Sequence, residues 1–356
     1  MKKSIVLSAF LTLAVTFGAL AQEVKTEEKK RELGHYNENK FRQMYDEMAT
    51  PNMFRTASGA PGPEYYQQKA DYKMNIELDD KNKKLYGSET ITYHNNAKES
   101  LEYLWVQLEQ NIESPDSKTP LIENQNMDKA ITTSGFAKKY MASPFQGGFN
   151  IEYVKDAKGN PMKYTINQTM MRIDLPVALK PGQKFIFKID WNYKIPDRGV
   201  WGSRGGYELF PEDGNMVFTM SQFYPRLAVY SDFQGWQNHQ FTGRGEFALT
   251  FGNYNVQMTV PADHVVGSTG ECLNYSAVLT PTQLARYNKS KTSTTAPVEI
   301  VTLAEAKAAE TKKTTAKKTW VFQANNVRDF AWTSSRKFVW DAMAQPIAGK
   351  NVMCMS

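Results

Sequence analysis

The chain has 356 residues, of which 41% are hydrophobic, 12% aromatic and 22% charged, and its formal charge is +6. That length suggests about two domains of roughly 100–200 residues each, and the composition supplies material for a large core, which excludes a disordered chain. The charges are interspersed without a concentrated basic stripe, so nucleic acid is not an expected partner.

Lys2 and Lys3 precede an apolar run from Ile5 to Leu20, and Ala19-Leu20-Ala21 supplies a small-x-small cleavage site, so residues 1–21 read as a signal peptide. The mature chain is expected to be exported, to the periplasm or the exterior, with a formal charge of +4 once the two lysines are removed. No later run approaches the roughly 20 apolar residues of a membrane span, so none is expected after cleavage. Residues 22–64 read as a charged leader, a short N-terminal helix and a linker. Phe41, Met44, Tyr45 and Met48 fall at i, i+3, i+4 and i+7, the stripe of an amphipathic helix. Pro51, Gly59, Pro61, Gly62 and Pro63 then mark a boundary.

Beyond that boundary the period changes to two. Tyr72, Met74, Ile76 and Leu78 alternate with polar neighbours, Asp79 to Lys84 turns the chain, and Leu85 to Tyr93 is again extended. A third strand at Leu104, Val106 and Leu108 predicts a three-stranded meander. Asn111 to Phe149 is polar and patternless, an irregular insertion. Strands resume at Ile151 to Val154 and at Met171, Ile173 and Leu175, and Pro181-Gly182 turns into a strand with Phe185, Phe187, Ile189, Trp191 and Tyr193 on one face. Alternation with one polar face predicts antiparallel sheets, because parallel strands buried on both faces read as continuous apolar runs.

The stretch from Met216 to Gly270 organises the rest. It carries Phe223, Tyr224, Tyr230, Phe233, Trp236, Phe241, Phe247 and Phe251, and side chains that bury roughly 150–250 Å² each must fill a core, line a pocket, or both. Its second half is a strand, Tyr254, Val256, Met258 and Val260 alternating with polar residues up to Pro261. Its first half, with Gly235, Gly243 and Gly245, reads as a site-forming loop. After it, Thr280 with Gln283 and Thr302 with Glu305 match the capping box, so residues 280–318 are expected to be a solvated helical insertion. A strand returns at Trp320, Phe322 and Ala324. The closing NVMCMS, apolar and uncapped, reads as a strand interrupted in mid-course, so the sequence is expected to be a fragment.

Catalytic patterns are absent. The four histidines, His35, His94, His239 and His264, have no helical H-E-x-x-H spacing, so no metal ligand is assigned. His94 and His264 read as ordinary polar positions at strand ends, and His239 is notable only for lying in the aromatic loop. There is no G-x-S-x-G elbow, the carboxylates show no paired pattern, and Cys272 and Cys354 carry no nucleophile signature. Whether those two thiols bridge is open. The glycine-rich RGVWGSRGG at 198–206 lacks phosphate-loop spacing and reads as a surface loop.

Three segments together, DYKMNIELDDKNKKLYGSETITYHNNAKESLEYLWVQL, LPVALKPGQKFIFKIDW and SQFYPRLAVYSDFQGWQ with the following GEFALTFGNYNVQMTVPADHVVGSTG, resemble the N-terminal domain of the aminopeptidase N-type zinc peptidases. The resemblance covers roughly residues 65–340. It implies a saddle-shaped, antiparallel, β-sandwich-like all-β domain that lines the substrate site of a peptidase, with residues 341–356 as the truncated start of the catalytic domain. The missing catalytic domain would be its partner, a peptide substrate N-terminus its ligand, and zinc the cofactor of the full-length parent, none of it bound by this chain. In the family a Gln-x-Glu loop pairs its Glu with the substrate's free amine, and the matching positions here are Gln222 and Tyr224. A neutral phenol supplies a hydrogen bond or a ring face in place of an ion pair, which puts free-amine recognition in doubt. The sequence also admits a stand-alone secreted module that stacks carbohydrate or peptide on Trp201, Trp236 and Tyr224, and a catalytically dead, interaction-only relative.

Overall fold

A computed structural model describes residues 51–122, 130–137, 141, 145–201, 203–243, 245 and 247–356. The expected signal peptide, leader and amphipathic helix lie outside them. Strands make up 45% and helices 15%, an all-β, sandwich-like architecture of several sheets.

The strands run in chain order as β1 (Lys69–Asp79), β2 (Lys84–His94), β3 (Leu101–Gln107), β4 (Asn150–Asp156), β5 (Tyr164–Asn167), β6 (Met170–Leu179) and β7 (Lys184–Lys194). They continue as β8 (Gly206–Phe210), β9 (Asn215–Met220), β10 (Arg226–Leu227), β11 (Tyr230–Ser231), β12 (Gly235–Trp236) and β13 (Gly252–Pro261). The last are β14 (Val265–Ser268), β15 (Glu271–Cys272), β16 (Val298–Val301), β17 (Lys317–Val327), β18 (Trp332–Ser335), β19 (Trp340–Ile347) and β20 (Lys350–Met355).

The principal sheet has seven strands in the order β15-β17-β13-β1-β2-β7-β4. Its strands follow the alternation read from the sequence: Tyr72, Met74, Ile76 and Leu78 of β1 are buried, as are Tyr254, Val256, Met258 and Val260 of β13. Period two places alternate side chains on one face, and that face closes on the other sheets in a common core. Between β2 and β7 the register sets Gly87 opposite Trp191, and a Cβ at Gly87 would lie 2.1 Å from the indole. Glycine is the residue that lets the indole lie flat across β2.

Two expectations are corrected. The first three strands are not a meander: β3 leaves for a four-stranded sheet, β10-β3-β6-β5, and β2 pairs with β7 instead. Nor is the pairing wholly antiparallel, since β1 and β13 run parallel from Tyr72↔Tyr254 to Glu77↔Thr259. Parallel neighbours need a long connection, and here nearly the whole intervening chain supplies it.

Both capping boxes form, at α1 (Pro281–Ser290) and α2 (Leu303–Lys312). The insertion is nonetheless packed on one side: Tyr287 of α1 is buried, its ring 4.2 Å from Tyr275 and 5.9 Å from Trp340. β16, from the same insertion, pairs with β19, and β19 pairs with β20. Residues 341–355 thus belong to a three-stranded sheet with the insertion. Cys272 is buried and Cys354 exposed, and both are free thiols.

Among the described residues, no helix is long and apolar enough to cross a membrane.

Candidate functional site

A short 3-10 turn, Glu109–Glu113, follows β3 and points three polar side chains inward. Asn111 fastens the turn: its Nδ2 donates to the Gln168 carbonyl at 2.7 Å and its Oδ1 accepts from Phe149 N–H at 2.8 Å. Gln110 Nε2 donates to the carbonyl of Gln222 at 3.0 Å. The turn and the SQFYP loop are therefore tied together.

That loop, Ser221–Pro225, joins β9 to β10. Gln222 adopts φ 52°, the left-handed region, where a non-glycine residue is held only by its surroundings, and the Gln110 bond is part of that hold. β10 pairs with the end of β3, Arg226 opposite Gln107, which brings Arg226 to Glu109. Arg226 Nε donates to Glu109 Oε1 at 3.0 Å, and Nη2 makes a still closer contact with the same oxygen. Nη1 reaches Asp329 Oδ2 at 2.6 Å, from the loop between β17 and β18. Glu109 is 1% exposed and Arg226 6%. Burial pushes the Glu109 carboxyl above the ordinary carboxylate range while the guanidinium pulls it back, and the two carboxylates hold the Arg226 charge firmly.

Around this ion triad the aromatic stretch does what composition suggested. Phe223, Tyr224 and Tyr254 are core residues, with Tyr72 stacked on Tyr254 at 4.8 Å. Above the triad lies a cleft of about 200 Å³. Ser221, Gln222, Glu109, Arg226 and Asp329 give it a polar lining, and Phe241, Phe247 and Leu249 an apolar one.

The two residues singled out from the sequence occupy different levels. Gln222 lines the cleft. Tyr224 has no exposed surface and lies beneath: its hydroxyl donates to Asp329 Oδ1 at 2.9 Å, with the Tyr254 hydroxyl 3.0 Å away. Burial raises its pKa well above that of a free phenol, so it remains a donor that orients Asp329. The three aromatics proposed as a stacking platform are not equivalent. Tyr224 is buried, and Trp236 packs edge-on against Tyr230 at 5.2 Å and over Tyr93 at 6.0 Å. Trp201 lies beside Phe145.

Glu109, Arg226 and Asp329 were not singled out, although each left a trace. Glu109 follows the apolar LEYLWVQL, Arg226 follows Pro225 inside an aromatic run, and Asp329 precedes Phe330 and Trp332. A charge inside a strongly apolar stretch must find a partner when buried.

His35 lies outside the described residues, and the other three histidines are dispersed. His94 Nε2 lies 3.1 Å from Asp71, His239 stacks on Phe247, and His264 is fully buried with Nδ1 2.8 Å from Ser334 Oγ. Burial lowers the His264 pKa to about 3, so it is neutral. Among the described residues no group of three His, Cys, Asp or Glu side chains could hold a metal ion, and the cleft's carboxylates are both engaged by Arg226. The described residues do not bring together a zinc-ligand set.

No protein-family model matches the sequence, and no curated protein matches it. Solved structures do. One is the M1 zinc metallopeptidase from Deinococcus radiodurans, with 12% identity and a TM-score of 0.41, covering 83% of this chain and 48% of that one. Another is a mutant of the Deinococcus radiodurans M1 zinc metallopeptidase bound to a Tyr-Ser-Ala substrate, with the same identity and score, covering 83% and 49%. This chain spans about half the length of the structures it matches. At that identity and score the likeness says nothing of this chain's activity.

Proposed function

We propose that this chain is the exported, substrate-lining β-domain of a zinc-dependent peptidase, and that its cleft receives the N-terminal end of a peptide. The catalytic zinc and its ligands would be contributed by residues outside this sequence. The observation that carries the reading is the cleft itself. Gln222, the position matching the family's substrate loop, lines a recess whose lining is polar and charge-bearing in part and apolar at Phe241, Phe247 and Leu249. A lining that combines charged and polar groups with apolar surface suits the head of a peptide and its first side chain. The sequence segments that resemble the family, in the family's order, support the same reading. Tyr224 takes part from beneath, by orienting Asp329.

Titration of the purified chain with the tripeptide Leu-Gly-Gly, followed by heteronuclear NMR, tests this. Saturable shifts are expected at the amides of Gln222, Phe241 and Phe247, and Gln222→Ala should weaken them several-fold. No saturable shift at millimolar peptide would overturn the proposal. Tight stoichiometric zinc on this chain alone, measured by metal analysis, would overturn the division of labour.

A further inference from the structure

Glu109 uses only half of its carboxylate. Both bonds from Arg226 end on Oε1, and Oε2, fully buried, has no hydrogen-bond partner. A buried carboxylate oxygen without a donor is costly and needs an explanation. The place it occupies offers one. Glu109 lines the cleft described above and also an adjoining cavity of about 140 Å³, and Gln222, Arg204 and Phe241 border both. Two other acceptors at the cleft are already in use. Asp329 takes bonds from Arg226, from Tyr224 and from the Phe330 N–H. Gln222's carbonyl is occupied by Gln110.

We infer that Glu109 Oε2 is the acceptor for a protonated primary amine entering the cleft, with Phe241, Phe247 and Leu249 receiving the apolar group attached to it. An ammonium is compact, carries three donors and can meet a single buried oxygen end-on, whereas a second guanidinium would need a two-oxygen face that Arg226 already blocks. The free volume, about 200 Å³, admits an amino group with one side chain and not an extended segment. The inference rests on the peptide-lining reading for its choice of amine, and it moves the anchoring charge from position 224, where Tyr stands, to Glu109. Arg204 also borders the cleft, and it is the unpaired oxygen that selects the ligand.

Four small probes separate the possibilities without altering the protein: L-leucinamide, N-acetyl-L-leucinamide, 4-methylpentanamide and isopentylamine. Binding is measured by NMR shift titration, with the Glu109 carboxyl carbon labelled. Leucinamide is expected to bind at least about tenfold more tightly than the acetylated and des-amino probes, the size of one charge-assisted hydrogen bond to a buried group, and to move the Glu109 carbon signal. Isopentylamine tells the sources apart. If it binds as well as leucinamide, the site takes free small amines, and if it binds markedly less well, the site reads a peptide N-terminus; either result supports the amine contact. Glu109→Gln should abolish the preference for leucinamide. Because that change disturbs the Arg226 pair, the comparison of probes on the unaltered chain decides the matter. Equal binding of leucinamide and its acetylated form, while Leu-Gly-Gly still shifts the cleft amides, would overturn the role of Glu109 and leave the peptide-lining reading standing. Loss of all binding, Leu-Gly-Gly included, would overturn both.

Discussion

Two carboxylates, one within the principal sheet and one beneath the cleft, are equally hidden from water and compensated in opposite ways. Glu89 takes an inward position of β2, paired with Met74 on β1 and Ile189 on β7, and neither of its oxygens has a hydrogen-bond partner. Glu109 lies under the cleft against Arg226. Both are 1% exposed, and burial raises both carboxyls. At Glu89 the nearby Asp190 adds to the rise, whereas at Glu109 the guanidinium opposes it. Glu89 is thereby kept as a neutral acid inside the core, and Glu109 is kept in an ion pair at the edge of a recess. Burial alone does not mark a functional carboxylate; the partner and the neighbouring empty space do.

The largest expected effect tests the compensated side. Arg226→Met removes the cation hydrogen-bonded to both Glu109 and Asp329, leaving a buried charge unpaired. Such a break costs about 3–5 kcal/mol, and it should appear as a lower urea midpoint with an unchanged slope. A loss below about 1 kcal/mol, the range of a solvent-exposed pair, would erase the contrast between the two sites.

A smaller effect, visible only as a function of pH, tests the uncompensated side. The folded-state pKa of Glu89 lies well above its unfolded value, so the folded chain holds this proton more tightly. Its contribution to stability is complete below the unfolded pKa and is lost as the pH rises towards the folded one. Glu89→Gln, nearly isosteric and never charged, removes that loss. Relative to the parent, the variant should gain up to about 1.4 kcal/mol per pH unit above the ordinary carboxylate range, and the two should converge in acid. Denaturant titrations at a series of pH values measure the difference. A constant offset across the series would mean that Glu89 is ionised in the fold and compensated after all.

What could be read from the sequence follows from which forces act locally. Period-two alternation located β1, β2, β7 and β13, because each buries one face, and the two capping boxes located the starts of α1 and α2. Alternation reports which face is buried and is silent on the neighbour, so the parallel partner of β1 and the departure of β3 to a second sheet were not legible. Glu89 illustrates the same limit: it stands at an inward position of a strand read as alternating, and nothing local says that the core tolerates a neutral acid there. The candidate site was half legible. Gln222 and Tyr224 stood out as the positions matching the Gln-x-Glu loop of the family the sequence resembles, yet the charged partner of Arg226, Glu109, is more than 100 positions away, and only the β3–β10 pairing brings the two together.

The smallest expected effect concerns backbone strain on the cleft side. Gln222 at φ 52° and Lys83 at φ 52°, in the turn between β1 and β2, share one unfavourable conformation, but only Gln222 borders the cleft. Glycine adopts that conformation without penalty, so Gln222→Gly and Lys83→Gly should each be more stable than the corresponding alanine variant by about 1 kcal/mol. Stability therefore cannot tell the two positions apart, and binding can. Leu-Gly-Gly should bind the Lys83→Gly variant as it binds the parent and bind the Gln222→Gly variant several-fold more weakly, because the glutamine amide is gone. Equal binding to both would show that Gln222 is held in its conformation for the loop's own packing, and the strain would then carry no information about the cleft.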